Sequence, residues 1–166
     1  GRPDSSSQSP SAQSPVLELR FDGDLADSSQ SKRGCTAQGI VTFVDGKRGK
    51  CASLDGRGWV DTGLRQKELG NEFTVECWVN PAKQQSPYAD IFGNHVSEGL
   101  GFVLQQDGAN TNQFMAACGA GAGRWVMTPA APLAAGRWQH VALVKTREDL
   151  RLYVNGSQVA EISGEV

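Results

Sequence analysis

The sequence predicts an all-β chain folded as a two-sheet antiparallel jelly-roll sandwich, on three grounds. The runs from Phe73 to Pro81, Trp138 to Lys145 and Leu150 to Gly156 alternate their side chains with the strand period of two and favour β-branched and aromatic residues. Asx-Gly pairs at Asp22-Gly23, Asp45-Gly46, Asp55-Gly56, Asp107-Gly108 and Asn155-Gly156 tolerate positive φ and close tight turns between such runs. From Val16 onward the strand signals return every roughly eight to twelve residues, the spacing of a sandwich or jelly roll.

Taken in order, strands are predicted over 16–21, 40–44, 50–54 and 59–62, each stopped by one of these Asx-Gly pairs or by Gly63. The long alternating run 73–80 ends at Pro81, which cannot donate to a sheet ladder. Strands over 90–93, 101–106 and 113–118 follow, and the glycine-rich 119–123 separates the last from 124–128. That glycine run lacks the Lys-Ser/Thr and the helix of a phosphate-binding loop and reads as a flexible loop or bulge. The strands 138–145, 150–154 and 158–162 complete the set, with Asn155-Gly156 closing the last hairpin. No helix is predicted.

A chain of 166 residues suits one domain with a true core, placed here at 16–166. The formal net charge of −2 and the scatter of Lys and Arg provide no field to gather phosphates, which argues against a nucleic-acid partner. No apolar run reaches the roughly 18–20 residues needed to cross a bilayer, so no membrane span is predicted. Residues 1–15 are rich in Ser, Gln and Pro and carry no large apolar anchor; they read as a flexible linker. Such tethers often follow a removed export signal, and the expected location is secreted, periplasmic or cell-surface.

Five blocks carry a resemblance. Phe21-Asp22-Gly23 with Leu25 to Ser28, then Val44 to Gly56, Phe73 to Pro81, Gly136 to Ala142, and Leu152 to Gly156 together resemble the laminin-G-like jelly roll of the concanavalin A-like lectin/glucanase superfamily. The resemblance covers most of 16–166 and rests on the order of the blocks, since each alone is mostly core and turn. It implies two curved, stacked antiparallel sheets, usually in an extracellular protein and often as an accessory module of a carbohydrate-active enzyme. Family members continue through two further strands after the last hairpin, and the resemblance implies either that another chain, a downstream segment or a swapped neighbour supplies them or that this domain closes early. Asp22 and Asp27 match acidic positions of the family's first block, and the resemblance therefore implies a structural Ca2+ there, an ion that takes six to eight oxygens.

Cys35 and Cys51 flank the hairpin built on 40–44 and Asp45-Gly46, and a disulfide between adjacent strands is expected. Cys77 shares the period of Phe73, Val75 and Val79 and is expected as a buried, inert thiol; Cys118 reaches it only if their strands meet across the core. The absence of any Cys-x-x-Cys argues against structural zinc.

Catalysis finds little support. The β-glucan-cleaving members of this superfamily carry a Glu-x-Asp-x-x-Glu strand, whose paired carboxylates serve as nucleophile and general acid; Glu76 has no such companion. His95 and His140 lie far apart in sequence and fit no metal-ligand spacing, and no nucleophile elbow occurs. Sugar binding needs an aromatic ring to stack on a pyranose with polar groups around it. Glu76, Trp78 and Asn80 are expected on one sheet face, with Asn94, His95, Gln105 and Asn112 near them. Trp125, without a counterpart in the family blocks, and Tyr88 are the first aromatic candidates, while Trp59, Trp78 and Trp138 read as structural indoles. The expected function is a non-catalytic carbohydrate- or glycoconjugate-binding module. The alternatives are a structural or docking module without a small ligand, and a glycosidase fragment whose acids lie outside the chain.

Overall fold

The computed structural model describes residues 14–96, 98–110 and 112–164; most of the predicted linker, 1–13, lies outside them. Internal contacts separate the chain into two compact units that meet in sequence at Gly63 and Leu64.

The first unit is built on one long antiparallel hairpin, β1 (Thr36–Asp45) and β2 (Lys50–Asp61). The predicted strands 50–54 and 59–62 are thus one strand. Asp55-Gly56 does not turn the chain; it sits opposite a bulge between Gly39 and Val41, where Gly39 (φ +70°) has its missing Cβ only 2.2 Å from the Arg57 carbonyl oxygen. The Asp55 carboxylate is held by Arg57, so the pair that signals a turn is spent on stiffening the bulge. The expected strand 16–21 shrinks to a single bridge, Leu19 to Asp27, beside the short return at 27–28, where Ser28 N–H donates to the Glu18 carbonyl.

The second unit holds the sandwich. One sheet orders β3 (Phe73–Val79), β9 (Gln139–Lys145), β10 (Asp149–Val154) and β11 (Ser157–Ser163) side by side. The other runs β4 (Asp90–Gly93), β5 (Phe102–Gln106), β6 (Gln113–Gly119) and β7 (Trp125–Met127), with β8 (Ala131–Pro132) also pairing to β6. Every pairing is antiparallel. Phe102, Leu104, Phe114, Ala116 and Cys118 of the second sheet meet Val141, Leu143, Leu150 and Leu152 of the first in one buried cluster. Phe73, Val75, Cys77 and Val79, expected on one face from their alternation, pack against this cluster. Phe73 and Phe92 close the cluster against Phe102, with ring centroids 4.7 and 6.4 Å away. Asn155 (φ 51°) and Gly156 (φ +81°) make the tight turn that their pairing predicts.

A short helix, α1 (Gln66–Leu69), is absent from the sequence reading. The Arg65 N–H donates to the Glu68 side chain at 2.9 Å, and four residues of helix suffice to turn the chain. The predicted disulfide does not form, and all four cysteines are free. The hairpin register explains this: Cys51 stands opposite Val44 at the turn, whereas Cys35 lies beyond the Thr36–Asp61 pair at the far end, about 30 Å away by strand rise. Cys77 packs against the core cluster, and burial, with a smaller push from Glu76, drives its thiol up to about 12.

Two outcomes follow from this packing. Leu143→Ala, at a site with no exposure, should lower unfolding free energy by about 2–5 kcal/mol in urea melts. Alkylation at pH 8 without reductant should label Cys77 and Cys118 only after denaturation, then reach all four cysteines, as read by intact mass.

Candidate functional site

The outward side of the β4–β7 sheet carries the site. On β5 and β6 the core takes alternate residues, which leaves Val103, Gln105, Met115 and Ala117 facing away from it. The register Ala117 to Met127 and Gly119 to Trp125 lays Trp125 and Met127 beside them. His95 and Val96, past the end of β4, and Tyr88 from the preceding loop complete a groove of about 330 Å3. Its floor is apolar and covered, with Val103 and Ala117 at 3% and 2% exposure. Trp125 meets the His95 ring edge-on at 6.0 Å, and His95 Nδ1 lies 3.9 Å from Asp90 Oδ2. Burial pushes the Asp90 carboxyl above its ordinary value, and His95 pulls the other way.

The rim is set by close backbone approach. A Cβ at Gly119 would lie 2.1 Å from the Gly99 carbonyl oxygen, so only glycine lets the turn at Gly99 and Leu100 press against β6. The N–H groups of Gly121 and Gly123 then donate to the carbonyls of Gly99 and Glu98. The glycine-rich segment is accordingly a hydrogen-bonded turn, where the sequence suggests a flexible loop. Tyr88 adopts φ 57°, a region costly for a bulky residue, and its N–H donates to the Gly108 carbonyl; the ring stands 62% exposed.

Four of the residues singled out from sequence converge here: Tyr88, His95, Gln105 and Trp125. The others do not. Glu76 and Trp78 lie on the outward side of the opposite sheet, because β3 pairs with β9 and not with β4 or β5. There Glu76 Oε2 sits 3.5 Å from His140 Nε2 and Trp78 meets the His140 ring at 5.4 Å. Asn80 lies just past the end of β3, at the same edge of that sheet. Asn94 is engaged in structure, its Oδ1 accepting from Phe102 N–H and its Nδ2 donating to Gln66. Asn112 donates to the Lys83 carbonyl and ties two loops. Nor are Trp59 and Trp78 core indoles, at 62% and 49% exposure. Of the groove residues that sequence reasoning passed over, Val96, Val103, Met115, Ala117 and Met127, three had a signal: Val103 on β5 and Met115 and Ala117 on β6 are apolar on the face opposite the core as well.

The acids implied as calcium ligands do not fit the ion. Asp27 is 5% exposed, and its carboxylate accepts the N–H groups of Glu18, Ser29 and Arg33 together with the Ser29 hydroxyl. Burial opposes its charge, but these donors outweigh it and hold the carboxyl well below the usual range. All its lone pairs are thus directed at the chain itself. Asp22 accepts from Lys50 N–H at 2.8 Å, and among the described residues no group of three His, Cys, Asp or Glu is placed to hold a metal.

With the geometry in hand, the lineage is plain: the chain belongs to the concanavalin A-like lectin/glucanases superfamily, whose family model matches residues 54–166. No curated protein matches it. Among solved structures it is similar to domain 4 of AbnA, an extracellular arabinanase from Geobacillus stearothermophilus in complex with arabinotriose, at 24% identity and TM-score 0.64 over 87% of this chain and 72% of that one. It is also similar to the binding domain of botulinum neurotoxin serotype C1 (14% identity, TM-score 0.68, 91% of this chain). A third is the binding domain of botulinum neurotoxin DC in complex with SialylT (15% identity, TM-score 0.69, 90% of this chain). The chain spans 39% and 40% of those two toxin domains. These likenesses establish the fold. Among the described residues no helix is long and apolar enough to cross a membrane.

The depressed Asp27 carboxyl gives a signed expectation. Its contribution to stability is complete above the ordinary value of 3.8 and is lost as pH falls below it toward the folded value. Acid titration of Asp27→Asn, followed by circular dichroism, should show a lower plateau and a shallower loss of stability below pH 4 than the parent chain.

Proposed function

We propose that the chain is a non-catalytic carbohydrate- or glycoconjugate-binding module whose ligand lies in the Trp125 groove. The observation that carries this reading is the meeting of an indole and a phenol with one amide, one imidazole and a neighbouring carboxylate over an apolar floor. A pyranose offers an apolar C–H face to such a ring and hydroxyls to such polar groups. The similar structures in complex with arabinotriose and SialylT support the ligand class.

The lining residues of the groove include no carboxylate, and Asp90 beside it is partnered by His95. Glycoside cleavage uses two carboxyl groups flanking the bond, so the groove favours binding over hydrolysis. The module would serve as an accessory to a larger protein, outside the cytoplasm; the Ser/Gln/Pro composition of residues 1–15 and the extracellular arabinanase among the similar structures support this placement.

A glycan array probed with the labelled chain should give a defined set of signals. Trp125→Ala should weaken the strongest of them at least about tenfold, as loss of a central aromatic anchor does, while Trp59→Ala leaves it unchanged. A blank array, or binding indifferent to Trp125→Ala, would favour a structural or docking role instead.

A further inference from the structure

The Trp125 groove has relief. Across β5, β6 and β7 its outward residues fall into rows set by the register: Gln105 beside Met115, then Val103 beside Ala117 and Ala117 beside Met127, then Gly119 beside Trp125. Val103 and Ala117 are the small members of the set. They face away from the core and are nonetheless covered, at 3% and 2% exposure, so they form the bottom of a trough between Trp125 on one side and the row of Gln105 and Met115 on the other.

The bottom of that trough is hydrocarbon. A hydroxyl pressed against the Val103 and Ala117 side chains would lose its water without gaining a partner from them, which is costly, whereas a methyl group there is favoured by leaving water. One amide stands beside it: Gln105 is half-buried, and among the described residues its side chain makes no hydrogen bond. A primary amide offers both donors and an acceptor. A substituent that carries a methyl next to its own N–H and C=O uses both features at once, while the bare methyl of a deoxy sugar would leave the amide without a partner. The volume of about 330 Å3 lies at the lower end of the range of small-ligand sites and suits a single sugar unit.

On the reading of the groove as a sugar site, on which this inference rests, we propose that the sugar it recognises carries an N-acetyl group. The acetamido methyl lies over Val103 and Ala117, its N–H and C=O meet the Gln105 amide, and the pyranose ring stacks on Trp125. Ala117 then sets specificity by being small, and Gln105 by being unengaged.

The test is an NMR titration of the isotope-labelled full chain with N-acetylglucosamine and N-acetylgalactosamine, each against its parent hexose, and with fucose. At least one acetamido sugar should bind at least about tenfold more tightly than its parent hexose, the discrimination a methyl in an apolar slot supplies. It should shift the Ala117 methyl, the Gln105 side-chain amide and the Trp125 indole together. Ala117→Leu, which fills the trough, should bring its affinity down to that of the parent hexose, and Gln105→Ala, at a half-buried position, should narrow the same gap. Four results would overturn the proposal: parent hexoses bound as tightly as the acetamido sugars, fucose bound as tightly, an acetamido preference that survives both substitutions, or no shift with any of the five sugars at millimolar concentration. A hexose or fucose that moves the Trp125 indole would leave the groove a sugar site of another class, whereas no shift at all, with a blank glycan array, would remove both readings.

Discussion

The sandwich depends on one constraint: the inward residues of β5 and β6 must meet those of β9 and β10 in a single dry layer. Phe102, Leu104 and Phe114 on one side and Leu143, Leu150 and Leu152 on the other are almost without exposure. Once that layer closes, every alternate residue is committed to the opposite direction. The outward side of each sheet is then a consequence of the core register, and a slip by one residue would exchange the two.

The loops are held to this frame by buried polar groups. Gln106, with no exposure, donates to the carbonyls of Ser86 and Gly108 and so fixes the segment that presents Tyr88. Gln139 exchanges two hydrogen bonds with Ala134, and Thr128 accepts from Ala116 N–H where β7 leaves the sheet. Each bond satisfies backbone groups that a loop crossing the end of a sandwich would otherwise strand away from water. The groove therefore stands on hydrogen-bonded backbone, although its aromatic residues come from turns and short strands.

Much of this was legible in the chain itself. The alternation of Phe73 to Val79 and of Gln139 to Lys145 identifies both strands, and for the first it also identifies the inward residues Phe73, Val75, Cys77 and Val79, because period two is a local property. Strand partnership is not local, which is why Glu76 and Trp78 were grouped with residues of the other sheet: no feature of β3 announces that it neighbours β9. The Asp55-Gly56 pair misled for a related reason. Such a pair states that positive φ is tolerated, and a bulge uses that tolerance as readily as a turn does. The disulfide expectation failed on register, since a hairpin longer than its apolar core carries Cys35 away from Cys51. Within the candidate site, Trp125 and Tyr88 stand out by chemistry, whereas Met115, Ala117 and Val103 look like ordinary core until the β3–β9–β10–β11 sheet is known to cover only one of their strands' faces.

The hydrogen bonds from Gly121 and Gly123 to the 98–99 turn have a bearing on timescale. They anchor the backbone immediately ahead of Trp125, so the indole is positioned before any molecule arrives, and the entropy of ordering that loop is settled when the chain folds and not at the moment of contact. For the ligand class proposed above, a surface prepared in this way would discriminate by shape. It would retain what matches through slow departure, and offer little to flexible molecules that need the protein to adapt around them.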